Sequence, residues 1–356
     1  MMRQKPLDNS FMDSQRLLGD AEADRFVDEV LLNRANKQGL QAALSNMTDN
    51  NSLITFQNSY QGYGFIANAK KLPVWAEPRK MKQGAVFFSN HAEMIMSLLG
   101  LLSLPYCYNA ANGAMVLYLS EKIRNDTTKR LFETALFVWD VMAPDAFSES
   151  GKGFSEILKV RIMHAAIRHH VLSNGKWDPK WGVPINQEDI AGTNLSFSLI
   201  VIRGLRLLGF TVSQEESEAF IHLWNVIGSL TGLRDELISE NPKEAQKMDR
   251  LISARQFTAS DHGVELTRSL TRHILSVNKT KATENDILGL MRYLLGKEIS
   301  DQLGITAPDL PAYKISLIRT VNFFKSLVPA GDPVANYRMA YRSFLAQGTV
   351  VVKQKL

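Results

Sequence analysis

The sequence predicts an all-α protein built as one large domain. Apolar residues recur at the three- and four-residue spacing of helix faces along most of the 356 residues, and the period-two alternation of strands is nearly absent. A content of 45% hydrophobic and 22% charged residues is typical of a folded globular chain. No linker rich in Pro, Ser or Gly divides it. We therefore expect ten or more helices around one core, with an N-terminal extension over 1–18, a helical domain over 19–330, and a C-terminal helix and tail over 331–356.

Capping and turn residues delimit the helices of the first half. Asp20 is the expected N-cap of a helix over AEADRFVDEVLLNRANK, and the polar cluster at 46–51 marks a turn after it. Residues 70–84 carry two prolines and a cluster of lysines and arginines around Trp75, which predicts a loop. This loop is either solvated and anchored by its tryptophan, or it touches an acidic partner or a membrane surface. Two apolar stretches, 85–104 and the second half of 114–142, predict the next helices.

The second half gives clearer boundaries. Asn174 and Gly175 end a helix that starts near Gly153, Asn186 is the expected N-cap of a helix reaching Gly209, and SQEE from Ser213 predicts a capping box. Further helices are expected over 243–260, 262–277, 283–303, 311–328 and 333–346. The short run TVVVK near the C-terminus is either a strand or a tail.

Composition excludes several classes of protein. Basic residues exceed acidic ones by five but are scattered among them, so the sequence carries no nucleic-acid footprint. Cys107 is the single cysteine, which rules out an intrachain disulfide and a cysteine-based metal site and favours a reducing compartment. No uninterrupted apolar run reaches the roughly 18 residues of a membrane span, and the N-terminus lacks the apolar core of a secretory signal. We expect a cytoplasmic protein without an integral membrane segment.

One helix face stands out within the stretch KVRIMHAAIRHHVL. At about 100° per residue, Arg161 and Arg168 project within about 60° of His164, together with apolar neighbours. His169 and His170 project about 140° and about 120° away and are predicted to be surface or packing residues. Two guanidiniums beside a histidine on a core-facing side imply a buried or half-buried anion nearby.

Haem is a single ligand that would satisfy all three side chains. A neutral imidazole from His164 binds iron, while Arg161 and Arg168 neutralise propionates that would otherwise be buried anions. The alternative is a hydrogen-bonded histidine on an arginine-rich helix that faces a neighbouring acidic helix. The CxxC, HExxH, Walker, GxGxxG and GxSxG motifs are absent, and no histidine pair has the spacing and carboxylates of a multi-histidine metal site. Hydrolase, kinase and Rossmann interpretations therefore lose their main support.

A second polar pair lies on the preceding helix. Arg130 and Thr134 share a face with Phe137 and Val141, which indicates either the polar lining of a cavity or a snorkelling arginine beside a helix-bonded threonine. His91 interrupts another apolar helix and is either a ligand or a hydrogen-bonded core or cap histidine.

Longer strings carry a family resemblance. They are VRIMHAAIR at 160–168, PINQEDIAGTNLSFSLIVIRGLRLLGF at 184–210 and FIHLWNVIGSLTG at 220–232, in that order. The flanking strings GDAEADRF and LMRYLLGKEISDQLGI extend the match from about residue 19 to residue 305. Together they resemble the MpaB/rubber-oxygenase family, the latex-clearing-protein-like haem oxygenases.

The resemblance implies a globin-like all-α core that holds haem b. The histidine of its R-x-x-H motif, here His164, would be the axial ligand of the iron and so the metal-binding residue. Arg161, Arg168 and Thr193 would support the haem and its hydrogen bonds. Family members with known activity use the iron to activate dioxygen and cleave isoprenoid double bonds.

The other side of the porphyrin shows one departure from the family. Arg130 and Thr134 match its R-x-x-x-T motif and are the catalytic candidates. Where the rubber-cleaving branch has a lysine just before that threonine, this chain has Glu133, whose charge is opposite. We therefore do not expect polyisoprene cleavage, and the distal iron position is either open or filled by a residue such as Glu133 or His91.

These observations favour a haem b-dependent oxygenase that uses dioxygen to oxidise or cleave a small apolar, isoprenoid or lipid-like substrate, with an electron donor as a further partner. One alternative is a non-catalytic haem protein that binds or senses a diatomic gas. Another is a cofactor-free helical interaction protein whose two arginines meet acidic side chains. An absorption spectrum separates this last class from the first two.

Overall fold

Helices and their connections make up the protein. The computed structural model describes residues 7–31, 34–120, 127–278, 282–327 and 331–353. Within these ranges the only extended pairing is an isolated antiparallel bridge between Ala110 and Phe257. The prediction of an all-α fold is confirmed.

The helices follow one another with short connections. The first eight are α1 (Asn9–Arg16), α2 (Ala21–Phe26), α3 (Arg34–Asn46), α4 (Leu53–Ser59), α5 (Gly64–Ala67), α6 (Pro78–Leu98), α7 (Leu104–Tyr108) and α8 (Ala111–Leu119). The next six are α9 (Thr127–Met142), α10 (Gly153–Ser173), α11 (Gln187–Phe197), α12 (Leu199–Leu207), α13 (Gln214–Leu230) and α14 (Pro242–Gln256). The last five are α15 (Asp261–Val277), α16 (Glu284–Leu295), α17 (Lys297–Gln302), α18 (Ala312–Leu327) and α19 (Pro333–Lys353). Single π-helical turns, Val27–Leu31 and Leu99–Ser103, continue α2 and α6.

Side-chain caps fix the helix starts where the sequence predicts them. Asp20 accepts a hydrogen bond from the backbone of α2, and Asn186 accepts one from the Asp189 N–H at the start of α11. Ser213 and Glu216 form a reciprocal capping box at the start of α13. Each cap satisfies a backbone donor that the first helical turn leaves unpaired.

Three predicted boundaries differ from the structure. Helix α6 already begins at Pro78, so the predicted loop over 70–84 is wrong from residue 78 onward; proline at the first helical position suits a helix start. The helix predicted from Asn186 to Gly209 is divided at Ser198, whose hydroxyl donates to the Asn194 carbonyl. The helix predicted over 283–303 is divided at Gly296, where φ is 85°.

The end of the chain also differs from expectation. The backbone of TVVVK continues α19 as helix, so the alternative of a terminal strand is wrong. Helix α19 packs against α6 through Tyr337, whose hydroxyl donates to the Trp139 carbonyl of α9 at 2.9 Å.

Helix α6 runs through the main core and crosses α13 at very close range. A Cβ added at Gly84 would lie 2.6 Å from the Ala219 carbonyl oxygen and 2.9 Å from Leu223 Cβ. Only glycine fits this crossing without displacing α13. Helices α9, α12 and α19 pack around α6 as well.

Helix α10 separates two apolar clusters. Its Ile157 belongs to the main core, whereas Phe154, Leu158 and Ile162 belong to a second cluster formed with the N-terminal helices α2 to α5. The same helix contacts α2, α8, α9 and α13. A side chain in the middle of α10 therefore lies at the junction of several helices.

Two helical stretches are long and apolar enough to cross a bilayer. They are Pro78–Tyr108 and Gln187–Leu207, and 50% and 67% of their most apolar windows are buried inside the protein. Core helices of proteins without a membrane segment have the same length and composition, so these two stretches are weak indications of a span.

Candidate functional site

His164 lies in the middle of α10 and is half-buried. Its Nδ1 atom is buried, and no hydrogen bond reaches it from the part of the chain that the structure describes. Burial and the nearby Arg168 guanidinium lower the pKa of His164 to about 4. The imidazole is therefore neutral at neutral pH and has a ring nitrogen that no described protein group uses.

Arg161, one turn before His164, is held by the N-terminal segment. Its Nε donates to Asp20 Oδ2 at 2.6 Å and its Nη2 to Asp20 Oδ1 at 3.0 Å, which is the two-point geometry of a strong arginine–carboxylate pair. The guanidinium also lies over the Phe65 ring, 5.0 Å from its centroid. These contacts leave Arg161 in one orientation.

Arg168, one turn after His164, is buried to 3% exposure. It pairs with Asp24 of α2, and it donates to the carbonyls of Pro184 at 2.9 Å and Ile185 at 3.0 Å. Ile185 adopts a left-handed backbone conformation with φ 52°, which is costly for a β-branched residue. In this strained conformation the Ile185 carbonyl accepts the hydrogen bond from Arg168.

The anions that the two arginines imply are therefore protein carboxylates. Asp20 pairs with Arg161 and Asp24 pairs with Arg168. On this point the structure matches the alternative of an acidic neighbouring helix, which is α2. The structure departs from that alternative at His164, because α2 supplies no hydrogen-bond partner for the Nδ1 atom of this histidine. That the two arginines also neutralise haem propionates stays a prediction.

The two histidines that follow are surface residues, as predicted. His169 Nδ1 lies 3.2 Å from Asp28 Oδ1 in a half-exposed pair, and His170 is exposed. His91 packs between the rings of Phe87 and Phe210, and burial lowers its pKa, which supports the core interpretation of that residue.

Arg130 and Thr134 lie half-buried on α9. Arg130 Nη2 donates to the hydroxyl of buried Tyr108 at 3.4 Å, so this arginine points inward instead of snorkelling. The Thr134 hydroxyl donates to the Arg130 carbonyl at 3.0 Å, as a helix-bonded threonine does. Glu133, between them in sequence, is exposed.

Thr193 of α11 lies in the same region as Arg130. Its hydroxyl donates to the Asp189 carbonyl at 2.8 Å. Thr193, Ser196 and Arg130 lie near the Cys107 thiol, whose pKa burial raises to about 11. The structure therefore gathers Arg130 and Thr193 around Cys107, at the junction of α7, α9 and α11.

Four residues of this region make contacts that the sequence does not predict. Asp20 and Asp24 were hidden by distance along the chain, although two buried arginines demand two anions and GDAEADRF offers acids four residues apart. Tyr108 and Cys107 occur in an apolar helix whose pattern carries no sign of a polar contact.

Apolar side chains continue the His164 face toward the end of α10. Ile167 and fully buried Val171 pack with Met115 and Leu119 of α8 in a cluster that also includes Trp177. On this side of the histidine the surroundings are therefore apolar, and they suit an apolar ring or ligand better than a hydrated one.

A surface cleft of about 330 Å³ lies on the other side of Arg161. Ile157 and Arg161 line it, but His164 does not. Within the ranges that the structure covers, no group of three or more His, Cys, Asp or Glu side chains is arranged to hold a metal ion. Iron held by a cofactor and a single protein ligand remains compatible with the residues present.

Comparisons with known proteins agree with this architecture. The family model described as "ER-bound oxygenase mpaB/B'/Rubber oxygenase, catalytic domain" matches residues 89–323. The chain is 26% identical over 289 residues to the rubber oxygenase of Streptomyces sp. (strain K30), which covers 80% of this chain and 70% of that protein. It shares the fold of latex clearing protein LCP in the closed state, with a TM-score of 0.74 and 24% identity over 93% of this chain and 91% of that one. The chain therefore belongs to the mpaB/B′ and rubber oxygenase family of oxygenases.

Proposed function

We propose that the chain is a haem b-dependent oxygenase in which His164 binds the iron. The observation that carries this proposal is the imidazole of His164, which is neutral and has a buried ring nitrogen without a partner among the described residues. Such an imidazole can serve as an axial ligand. When bound, haem would supply the iron chemistry that activates dioxygen.

The two arginines would support the haem and also keep its histidine ligand in place. Arg161 and Arg168 are held by Asp20 and Asp24, and they keep the middle of α10 in place. The charge of Arg168 disfavours protonation of His164. An iron ligand needs both properties, a fixed orientation and a ring without its second proton.

Arg130 and Thr134 would line the opposite side of the cofactor, and Thr193 would support the haem and its hydrogen bonds. Both threonines donate their hydroxyl protons to backbone carbonyls, so their oxygen lone pairs remain available as acceptors. Arg130 uses one nitrogen for Tyr108 and retains further donors. This set can orient dioxygen and substrate by hydrogen bonding while neighbouring apolar side chains keep bulk water out.

The proposed substrate is small and apolar, isoprenoid or lipid-like. Met115, Leu119 and Ile167 next to the His164 face support an apolar ligand. Polyisoprene is disfavoured, because Glu133 stands where the rubber-cleaving branch has a lysine. We propose the cytoplasm as the location, which the single cysteine supports, and an electron donor as a further partner.

An absorption spectrum of the purified chain reconstituted with haem tests the proposal. We expect a Soret band that shifts when the reduced protein binds CO. His164→Ala should lose or displace the ligand features of this spectrum, because it removes the axial nitrogen. His170→Ala is the matched control, since this exposed histidine on the same helix should leave the spectrum unchanged.

Two spectral results contradict the proposal. A protein without a Soret band after reconstitution is not a haem protein, and a His164→Ala spectrum identical to that of the wild type removes His164 as the ligand. Substrate turnover distinguishes an oxygenase from the remaining alternative, a haem protein that only binds a gas. Reversible dioxygen or CO binding without any product from terpenes and unsaturated fatty acids identifies a gas-binding protein instead of an oxygenase.

A further inference from the structure

The outer side of α18 carries an uncovered apolar stripe. Tyr313, Leu317, Val321 and Phe324 are 69%, 62%, 44% and 61% exposed. At about 100° per residue these four side chains project within an arc of about 80°. Single exposed apolar residues are ordinary on protein surfaces, but four in a row along three turns of one helix mark an interaction surface.

The stripe is held outward because the other side of α18 is anchored. Ile315 and Ile318 pack toward Leu208, which follows α12, and Asn322 donates to the Leu208 carbonyl at 3.0 Å. Lys314 pairs with Asp286 of α16 at 2.6 Å. Helix α18 is therefore already docked through one face, and rotation to bury the stripe would break these contacts.

Positive charge is concentrated in the same part of the sequence. Residues 310–356 contain seven lysines and arginines and one acid, Asp332, whereas residues 1–309 contain 34 basic and 35 acidic residues. The C-terminal part thus accounts for the whole net positive charge. Lys325 is exposed and projects about 40° from Val321, next to the stripe.

This charge distribution selects among possible occupants of the stripe. A second copy related by two-fold symmetry would bring two strongly cationic segments together, and like charges oppose such a dimer. An anionic bilayer complements both features, since acyl chains accept the apolar side chains and the headgroups accept the cations. Aromatic residues such as Tyr313 and Phe324 suit the boundary between headgroups and acyl chains.

We infer that the outer face of α18 docks onto the surface of an anionic lipid bilayer. The α18 stripe, Tyr313, Leu317, Val321 and Phe324, enters the upper acyl region, while Lys325 meets the headgroups. The helix lies in the plane of the surface and does not span it. This association does not depend on haem or on the proposed oxygenase chemistry.

Vesicle co-sedimentation of the full chain tests the inference. We expect binding to phosphatidylglycerol-containing vesicles and at least about tenfold weaker binding to pure phosphatidylcholine vesicles. Raising the salt from about 0.1 M to about 0.5 M should weaken the binding, because exposed charges are then screened.

Substitution of the stripe distinguishes docking from general basicity. Leu317→Glu with Phe324→Glu should weaken binding to the anionic vesicles by at least about tenfold. Leu17→Glu with Leu172→Glu is the matched control, because these two leucines are 68% and 51% exposed outside α18 and the added charge is the same. Circular dichroism and thermal unfolding verify that both variants fold.

Three outcomes overturn the inference. They are equal loss of binding in both double variants, equal binding to neutral and anionic vesicles, and no vesicle binding by the wild-type chain. Light scattering after size exclusion distinguishes lipid docking from dimerisation through the stripe. If the wild-type chain is a dimer and Leu317→Glu with Phe324→Glu makes it monomeric, the stripe binds a second copy of the chain instead of lipid.

Discussion

The surroundings of His164 penalise its protonation. In the unfolded chain a histidine titrates near pH 6.5, whereas burial and Arg168 lower the pKa of the folded residue to about 4. As pH falls below about 6.5, the unfolded state takes up a proton that the folded state refuses until about pH 4. Folding stability is therefore lost over this window and is unaffected above it.

His164→Gln should remove this pH dependence. Between pH 7 and about 4.5 we expect the cofactor-free wild type to lose roughly 2 kcal/mol more unfolding free energy than the variant. Urea unfolding at a series of pH values measures the difference. His170→Gln, at an exposed position, should follow the wild type. Parallel curves for the wild type and His164→Gln would show that the folded imidazole titrates normally.

Helix geometry made one part of the site predictable from the sequence, namely the face that carries His164. The relation of Arg161 and Arg168 to His164 follows from helix geometry alone, and the structure preserves it. Their partners were not readable, because Asp20 and Asp24 lie 141 and 144 residues earlier and are brought close only by tertiary packing.

At the scale of helices, α6 and α13 cross at very close range. This crossing depends on Gly84, where any Cβ would meet the α13 backbone. Backbone atoms of a packed helix cannot rotate away as a flexible side chain can. The two helices would have to separate, which disturbs the core on both sides of α6.

Gly84→Ala should therefore destabilise the protein by about 1 to 3 kcal/mol through overpacking. Gly39→Ala is the matched control on α3, where nothing lies within 4 Å of the added Cβ. That substitution should stabilise the protein by about 0.5 to 1 kcal/mol, because alanine is the better helix former. Chemical denaturation compares both variants with the wild type. Similar effects at the two glycines would refute the close crossing.

Helix ends were more predictable than helix interruptions. Asp20, Asn186 and Ser213 act within four residues of themselves, so their caps are visible in the sequence. The breaks at Ser198 and Gly296 depend on how the following helix packs. A serine or glycine in an apolar helix is compatible with either outcome, and tertiary contacts decide.

At the scale of the molecule, α10 couples two apolar clusters. One face of the helix packs into the main core through Ile157, and the other packs into the N-terminal cluster through Leu158 and Ile162. Neither cluster can lose α10 without exposing the apolar surface of the other. The described helices should therefore unfold together.

Scanning calorimetry should show one transition. Leu158→Ala should move this single peak to lower temperature, because it opens a cavity that costs about 2 to 5 kcal/mol in the wall shared by both clusters. Leu172→Ala is the control, since this leucine is 51% exposed and its loss should hardly shift the peak. Two separate peaks, with only the earlier one sensitive to Leu158→Ala, would show that the clusters are independent.

The fold class was predictable because helix periodicity and the absence of strand alternation extend over the whole chain. The division of the core around α10 was not, since every apolar helix face looks alike until its partner is known. The proposed domain limits at 1–18, 19–330 and 331–356 stay predictions.

The ion pairs of the N-terminal segment can form only after a large part of the chain has been synthesised. Asp20 and Asp24 leave the ribosome more than a hundred residues before Arg161 and Arg168, and the Ile185 carbonyl that completes the Arg168 contacts emerges later still. Until then the first helices of the nascent chain carry carboxylates without their cations. About half of the polypeptide must be made before the surroundings of His164 can close, so a cofactor held there can be retained only from that point of translation onward.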